Sequence, residues 1–325
     1  MKIDMSHGSG GKQTSNLISE VFLKYFDNET LNKMEDAAVL DISGKIAYTT
    51  DSFVVNPLFF NGGDIGKLAV CGTVNDVAMM GAIPKYLTAG WIIEEGTEIE
   101  TIEKIASSMA EAAKEAGVKI VAGDTKVIEG NGGVYINTSG IGEIVKSGVS
   151  VRNCQVGDVI ILSGNLGDHH ATIMSKRMGI ENNIKSDCAP LVSIVEGLVK
   201  ENIDIRFMRD VTRGGLATVL NEVCDSSKCG VDIHENKVPV SEEVAGFCDI
   251  LGLDPFYMAN EGKMIIVVPK EEAEISLEIV KRTKYGKEAS IIGEITSGNS
   301  VNIVTALKGR RALDVLYGEG LPRIC

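Results

Sequence analysis

The sequence predicts an α/β protein made of two lobes and a mobile tail. Three observations support this: strands alternate with amphipathic helices, the pattern restarts after residues 146–155, and the last residues are glycine-rich and end on a cysteine. Residues 146–155 therefore look like a link between lobes, and chain ends without packing are usually mobile. The expected units are an N-terminal lobe over residues 1–148, a C-terminal lobe over residues 149–308, and a tail over residues 309–325 that carries Cys325.

In the N-terminal half, Ile46 to Val55 reads as a strand interrupted by Asp51. The turn Asn61-Gly-Gly-Asp64 ends on a good N-cap residue and predicts a helix that continues past Asp76. Thr97-x-x-Glu100 has the form of a capping box, and the helix that follows is expected to end at Gly117. Lys119 to Ala122 predicts a short buried strand that ends in Gly123-Asp-Thr-Lys126, which puts an acid and a lysine at its carboxyl end. Residues 133–145 predict another strand.

The C-terminal half repeats the alternation around a glycine-rich turn, Arg209-Asp-Val-Thr-Arg-Gly-Gly215. Ser241 is expected to cap one of its helices, with acidic residues in the first turn where the helix dipole favours them. The predicted strands are 158–162, 231–234, 264–268, 291–295 and 301–306, and the predicted helices include one ending at Met178, 216–224 and 270–285.

Composition narrows the class of function. Hydrophobic residues make up 44% and charged residues 24%, as in an ordinary soluble globular protein, and the net charge is −13. Such a charge argues against nucleic acid or an anionic membrane as the main partner, but not against a phosphorylated ligand. The N-terminus lacks the apolar region of a signal peptide, and seven cysteines lack a framework spacing. We therefore expect free thiols in a reducing cytoplasm.

The chain opens with a glycine-rich loop, Ser6-His-Gly-Ser-Gly-Gly-Lys12, before an amphipathic helical stretch. Such a loop can turn backbone N–H groups toward a phosphate. Its spacing is not that of a Walker A loop. The alternative is a glycine-rich terminus that binds nothing.

Four aspartates stand at element edges among small or apolar residues: Asp36, Asp51, Asp76 and Asp124. Each by itself is compatible with a helix cap or turn. If the four carboxylates converge, they would make a magnesium site, because Mg²⁺ binds a few carboxylates together with substrate phosphates and water.

Several of these motifs together resemble the HypE family of hydrogenase maturation proteins, over essentially the whole chain. The terminal cysteine makes the resemblance specific. The wider superfamily includes aminoimidazole ribonucleotide synthetase, and the resemblance implies its two-lobed fold, with an N-terminal lobe that dimerises through a β-barrel and a ferredoxin-like C-terminal lobe. The motifs are Ser6–Gly11, Asp36-Ala-Ala-Val, Thr49–Phe53, Gly62–Asp76, Gly123–Lys126, Arg209–Gly215, Asn260-Glu-Gly-Lys263 and Pro322-Arg-Ile-Cys325.

The resemblance also implies an activity. HypE proteins receive a carbamoyl group on the C-terminal thiol from the carbamoyltransferase HypF and dehydrate it with ATP and Mg²⁺ to a thiocyanate. The cyanide then passes to iron on the HypC–HypD complex for the active site of [NiFe] hydrogenase. This chain would accordingly be a carbamoyl dehydratase and a homodimer.

The resemblance assigns roles to individual residues. Lys126 remains open between base and phosphate anchor, since a lysine needs burial or nearby cations to act as a base and Asp124 is an anion. Arg209 and Arg213 are phosphate holders or inter-lobe ion-pair partners, and Asp210 either joins the metal shell or orients Arg213. The implied catalytic residues are Cys325, Glu261 and Lys126; the nucleotide-binding residues are Gly10, Gly11, Lys12, Asp51, Lys67, Asn75, Asp210 and Arg213; the metal ligands are Asp36, Asp51, Asp76 and Asp124.

Two other functions remain open from sequence. One is an ATP-dependent small-molecule kinase or synthetase of the same superfamily, which would leave Cys325 without a role. The other is a non-enzymatic maturation scaffold whose tail docks a partner or carries a metal.

Overall fold

Two β-sheets, one from each half of the chain, form the frame of the protein. The computed structural model describes residues 2–9, 11–35 and 37–316. The strands are β1 Ile46–Phe53, β2 Phe59–Phe60, β3 Gly63–Asp64, β4 Ala82–Glu94, β5 Lys119–Ile128, β6 Val134–Ile144, β7 Val159–Leu162, β8 Phe207–Asp210, β9 Gly230–His234, β10 Met264–Val268, β11 Ser290–Thr296, β12 Val301–Val304 and β13 Arg310–Ala312.

Helices cover these sheets and build the apolar core between them. Within the described residues no helix is long and apolar enough to cross a bilayer. The helices are α1 Lys12–Leu17, α2 Leu23–Phe26, α3 Ile65–Met79, α4 Ile99–Ala116, α5 Asp168–Met178, α6 Val192–Lys200, α7 Gly215–Ser227, α8 Glu242–Leu251 and α9 Ala273–Arg282, with a π-helical turn joining α1 to α2.

The N-terminal sheet has the strand order β1-β6-β4-β5, so that β1 and β5 are its two edges. Successive side chains of a strand point to opposite faces, and one face of this sheet is buried under α3. The other face is open: Tyr48 on β1 is 68% exposed, whereas its neighbour Ala47 is 8% exposed. The sheet therefore presents an uncovered side made of one residue in two from each strand.

Helix α3 begins where the sequence predicts. The Asp64 carboxylate accepts hydrogen bonds from the backbone N–H groups of Gly66 at 2.7 Å and Lys67 at 3.1 Å. A side-chain acceptor at this position satisfies N–H groups that have no partner in the first turn. The helix is buried along almost its whole length, which sets Asn75 and Asp76 in a fixed place beneath the sheet.

The predicted start of α4 is wrong by one residue. Glu98, not Thr97, occupies the N-cap position, because the Thr97 hydroxyl donates to the Glu94 carbonyl 2.8 Å away in the preceding turn. The capping box is thus not formed. The predicted end is confirmed, since Gly117 adopts the left-handed conformation with φ of 72°.

The strand that carries Asp124 and Lys126 is longer than predicted. It continues to Ile128 because its parallel pairing with β4 continues, with Asp124 opposite Gly90 and Lys126 opposite Ile92. The two side chains therefore stand in the middle of an edge strand and not beyond the end of one. Both lie on the open face of the sheet.

The second sheet contains seven strands, in the order β13-β12-β9-β11-β7-β10-β8. Its part β11-β7-β10-β8 is antiparallel throughout. Numbered along the chain, these four strands lie in the order 4-1-3-2 with helices after the first and third, as in the ferredoxin-like arrangement, and α7, β9 and α8 are inserted between the second and third. The predicted ferredoxin-like lobe is thereby found, and β9, β12 and β13 extend it.

The chain remains in this sheet beyond the predicted start of the tail at residue 309. Arg310–Ala312 pairs with β12, and Leu313 is fully buried. The glycine at 309 is used in a turn, where its N–H bonds Thr305 at 3.0 Å, and does not begin a loose segment. Residues 317–325, with Cys325, lie outside the described part of the chain.

Candidate active site

A cavity of about 520 Å³ lies between the two lobes. The N-terminal lobe contributes β1 and α3, and the C-terminal lobe contributes β8, the turn before α7, and one residue of the loop before β10. Its charged lining residues are Asp51, Asp76, Arg209, Asp210, Arg213 and Glu261. Carboxylates and guanidinium groups from different parts of the sequence therefore face one space.

Three aspartates form the acidic side of this cavity. Asp51 and Thr49 lie two residues apart on β1 and face α3, where the Thr49 hydroxyl donates to Asp76 at 3.1 Å. Burial, and next the charge of Asp51, raise the pKa of Asp76, although the Thr49 hydrogen bond opposes them. Burial raises the pKa of Asp210 to about 7, with further contributions from Asp76 and Asp51. Such mutual repulsion is what a bound cation relieves.

Glu261 closes the cavity from the C-terminal lobe. Glu261 is only 8% exposed. Burial above all, and then the charges of Asp187 and Asp210, hold the pKa of its carboxyl well above the usual range. A carboxylate with this environment is a strong base when it is ionised, and one that sits in a cleft is a candidate for proton transfer.

The two arginines of the glycine-rich turn face the same space. The guanidinium of Arg209 is shared between two carboxylates, because it lies 3.1 Å from Glu222 and 4.0 Å from Asp210. After Arg213 the chain turns through Gly214 and Gly215, both at positive φ. A Cβ at Gly215 would meet the Phe256 carbonyl at 2.5 Å, so only glycine lets this turn pack there. The turn fixes Arg213 at the cavity, where a guanidinium suits a phosphate.

Asp124 and Lys126 lie elsewhere. Their side chains form an ion pair at 3.1 Å on the open face of the sheet, whereas Asp51 points to the opposite face. The register Asp51–Thr138–Ala89–Gly123 places β5 three strands from β1, a separation of about 14 Å. Within one chain, therefore, the predicted convergence of Asp124 with Asp51 and Asp76 does not occur. Over residues 2–9, 11–35 and 37–316, no group of three acidic, histidine or cysteine side chains could hold a metal ion.

The remaining predicted nucleotide ligands are dispersed. Gly11 and Lys12 begin α1, after a loop in which a Cβ at Gly8 would meet the Val127 nitrogen on β5 at 2.5 Å. The glycine-rich loop thus packs on the strand that carries Asp124. Lys67 donates to the Gly62 carbonyl at 3.0 Å and lines a separate cavity of about 290 Å³. Gly10 and Asp36 lie outside the described residues, as does Cys325.

Asn75, predicted to bind nucleotide, is used by the protein itself. Its amide donates to the Ala189 carbonyl at 3.0 Å and accepts from the Leu191 N–H at 2.8 Å. The side chain is 2% exposed. This buried residue joins α3 to the segment between α5 and α6.

Sequence reasoning missed one charged residue beside the site, Asp187. Its side chain is 2% exposed and binds Lys263 at 3.2 Å. It follows a polar loop with no regular periodicity, so nothing in its local sequence distinguishes it from a turn acid. His169, on α5, is buried and packs edge-on to Phe60.

Comparison with known proteins agrees with the two-lobed division of the chain. Residues 34–144 match the family model for the N-terminal domain of AIR synthase related proteins, and residues 155–305 match the model for their C-terminal domain. The fold and the inter-lobe cavity thus define an AIR synthase related protein.

Relatives at full length narrow the class. A putative hydrogenase expression/formation protein of Methanocaldococcus jannaschii is 47% identical, with 100% of both chains covered. The carbamoyl dehydratase HypE of Rhizobium leguminosarum bv. viciae is 46% identical over 100% of this chain and 95% of that protein. The chain belongs to the HypE family of carbamoyl dehydratases, which act in hydrogenase maturation.

Two solved structures of HypE proteins are close to this one. A hydrogenase maturation protein HypE in complex with ATP superposes with a TM-score of 0.95, at 47% identity and with 99% of each chain covered. A HypE chain from a HypE–HypF complex has a TM-score of 0.82 at 51% identity, covering 92% of this chain and 99% of that one.

Proposed function

We propose that this chain dehydrates an S-carbamoyl group on Cys325 to an S-cyano group at the expense of ATP. The carbamoyl oxygen leaves as part of phosphate, the carbamoyl nitrogen loses both of its protons, and the product is a thiocyanate. The observation that supports this most strongly is the inter-lobe cavity, which combines an acidic cluster with one buried carboxyl of raised pKa. The first suits a nucleotide–metal complex and the second suits removal of a proton.

Glu261 is the base in this proposal. Its raised pKa makes it a better match to a weakly acidic N–H than an ordinary carboxylate. Lys126 is further from this role, because its ammonium is exposed and paired with Asp124. We therefore assign Lys126 to charge neutralisation or to a phosphate contact, and we retain Glu261 for the proton.

The residues of the cavity fit ATP and magnesium. Burial, and after it the charges of neighbouring carboxylates, raise the pKa of Asp76 and Asp210, and Arg213 offers a guanidinium to a phosphate. Asp51 and Asp76 would hold the metal, with Asp36 as a further ligand. When bound, ATP supplies a phosphoryl group that makes the carbamoyl oxygen a leaving group, and the metal neutralises phosphate charge.

A second copy of the chain would bring the strand that carries Asp124 next to β1. Apolar side chains stand exposed on the open face of the first sheet, among them Ile46, Tyr48, Ile92 and Ile128. Two such sheets that close into one barrel bury these faces and pair the edge β1 of one copy with the edge β5 of the other. The strand of Asp124 would then adjoin the β1 that carries Asp51 of its neighbour, with the two side chains on opposite faces of the joined sheet, so we propose a homodimer through the open face.

The relatives indicate the partners. Because a HypE has been solved together with HypF, we propose that HypF delivers the carbamoyl group to Cys325. The HypC–HypD complex would receive the cyanide. We place the reaction in the cytoplasm, where a reactive thiol stays reduced, and the six cysteines of the described chain are all free.

Intact mass of the C-terminal peptide tests the proposal. After incubation with HypF, carbamoyl phosphate and ATP, the wild-type peptide should gain one carbamoyl group and then lose one water. Glu261→Gln should acquire the carbamoyl group but convert it at least about 100-fold more slowly, because an amide cannot accept the proton. Normal conversion by this variant would exclude Glu261 as the base.

Cys325→Ala is the matched control for the acceptor. It should form no product and yet bind ATP with unchanged affinity, since the thiol carries the group that reacts and does not hold the nucleotide. A loss of ATP affinity in this variant would contradict the assignment.

A further inference from the structure

The segment of residues 186–191 contacts both lobes and carries Asp187 as its second residue. The segment is tied to the N-terminal lobe on both sides of Asp187. Before it, the Ser186 N–H donates to the Asn61 carbonyl at 2.8 Å. After it, the Asn75 amide holds the Ala189 carbonyl and the Leu191 N–H. Asp187 therefore sits on a short piece of backbone that has little freedom to move.

The carboxylate of Asp187 binds the loop that carries Glu261. One oxygen accepts from the Glu261 N–H at 3.2 Å. The other accepts from the Gly262 N–H at 3.0 Å and from the Lys263 ammonium at 3.2 Å. In return, the Ala189 N–H donates to the Glu261 carbonyl at 3.3 Å. Four hydrogen bonds thus join the two segments around Glu261.

The two backbones also touch. A Cβ placed on Gly262 would lie 1.9 Å from the Asp187 carbonyl oxygen. The side chains of Asp187 and Lys263 are 2% and 11% exposed, so their ion pair is shielded from water. Hydrogen bonds to a buried charge are strong, and a carboxylate with several donors holds them in one arrangement.

We propose that Asp187 is a positioning residue for Glu261. It lines the cavity of about 290 Å³ beside Lys67, not the inter-lobe cavity, so it acts through the loop and not on the substrate. By holding the backbone of residues 261–263 against the segment of residues 186–191, which is itself hydrogen-bonded to the N-terminal lobe, it orients the Glu261 carboxyl toward the inter-lobe cavity. This inference rests on the proposed role of Glu261 as the base.

Asp187 also affects the proton affinity of that base. Among the charges, Asp187 contributes most to the raised pKa of Glu261, after burial. Removal of its negative charge therefore lowers the pKa of Glu261. The charged or titratable groups around Glu261 are Asp187, Asp210, Asp51 and Cys71, which all raise the pKa, together with Lys263.

The test is single-turnover dehydration by the full-length chain carrying Asp187→Asn. After carbamoylation by HypF, the C-terminal peptide is followed by mass as ATP is added, from pH 5 to pH 9. Dehydration should slow by about 10- to 100-fold, because small displacements of a reacting group cost that much. The rising limb of the pH–rate profile should move to lower pH. Carbamoylation and ATP affinity should be unchanged.

Asp168→Asn is the matched control. Asp168 lines the same cavity of about 290 Å³, and its carboxyl is also buried near Lys263, but it bonds Ser241 at 3.4 Å. This variant should dehydrate at nearly the wild-type rate. Asp187→Glu keeps the charge while it moves the acceptors, so it should be slow with the rising limb in its original place.

A wild-type rate with either Asp187→Asn or Asp187→Glu would overturn the proposal. So would a slower Asp187→Asn whose pH profile is unmoved and whose rate falls only with the folded fraction, since that result indicates a structural role alone. The Glu261→Gln variant distinguishes failure of the proposed function from failure of the positioning role of Asp187. If Glu261→Gln keeps full activity, the proposed function loses its base; if Glu261→Gln is inactive while Asp187→Asn is normal, only the positioning role fails.

Discussion

At the scale of single residues, the acidic cluster combines burial with repulsion. Asp210 is 8% exposed and stands near Asp76 and Asp51, and its pKa is raised to about 7. The folded protein therefore binds a proton at Asp210 more tightly than the unfolded chain, whose aspartate has the ordinary pKa. The contribution of Asp210 to stability falls as pH rises from about 4 through 7, because the buried carboxyl must then ionise.

The variant Asp210→Asn tests this point. In buffer without metal or nucleotide at pH 8, it should melt about 5 °C higher than the wild type, because the wild type carries a buried charge there. At pH 4.5 the Asp210 carboxyl is neutral in the folded protein and is ionised only in the unfolded chain, so the difference should shrink to about 1 °C. Circular dichroism melts at the two pH values provide the measurement. Equal melting temperatures at pH 8 would show that ionisation of Asp210 does not destabilise the folded protein.

At the scale of elements, what the sequence predicts depends on the range of the interactions. The Asp64 cap and the strand of residues 264–268 are local, and both are found as predicted. β4 is not predicted, because Pro84 interrupts its pattern and its partners β5 and β6 come later in the chain. The expected convergence of Asp124 with Asp51 fails for a related reason. Both residues sit on strands, but the register between strands, which the local sequence does not determine, puts the two side chains on opposite faces of the sheet.

Packing of α3 against α4 gives the clearest prediction for an element. A Cβ on Gly66 would lie 2.4 Å from the Ile105 carbonyl and 2.8 Å from Met109. Gly66→Ala should therefore lower the free energy of unfolding by about 1–3 kcal/mol, since neither helix can move without disturbing the core. Urea denaturation measures the change.

Gly246 in α8 is the matched control, because a Cβ there has no atom within 4 Å among the described residues. Gly246→Ala should raise stability by about 0.5–1 kcal/mol, as alanine favours a helix over glycine. If both alanine variants were equally stable, close approach of α3 and α4 would not limit Gly66.

At the scale of the whole molecule, the proposed dimer depends on the open face of the first sheet. Tyr48→Glu puts a charge at its 68% exposed tyrosine and should convert a dimer into a monomer in sedimentation velocity. Ile250→Glu, at an 84% exposed residue of α8, should leave the dimer intact. A Tyr48→Glu protein that sediments like the wild type would place the interface elsewhere.

Mixing two inactive variants tests whether sites are shared. If Asp51 of one copy works with Asp124 of its neighbour, Asp51→Asn and Asp124→Asn proteins should regain about a quarter of wild-type dehydration when refolded together, since half the dimers are mixed and each has one complete site. No recovery would mean that each copy supplies its own set.

The segment of residues 186–191 has a consequence for how the steps of the reaction are coordinated. One end of it is hydrogen-bonded to Asn75, the neighbour of Asp76 on α3, and its second residue, Asp187, binds the loop of Glu261. Under the proposed function, these six residues link the part of the protein that would hold the nucleotide to the part that would take the proton. A variant in which this link is broken would consume ATP without forming a nitrile.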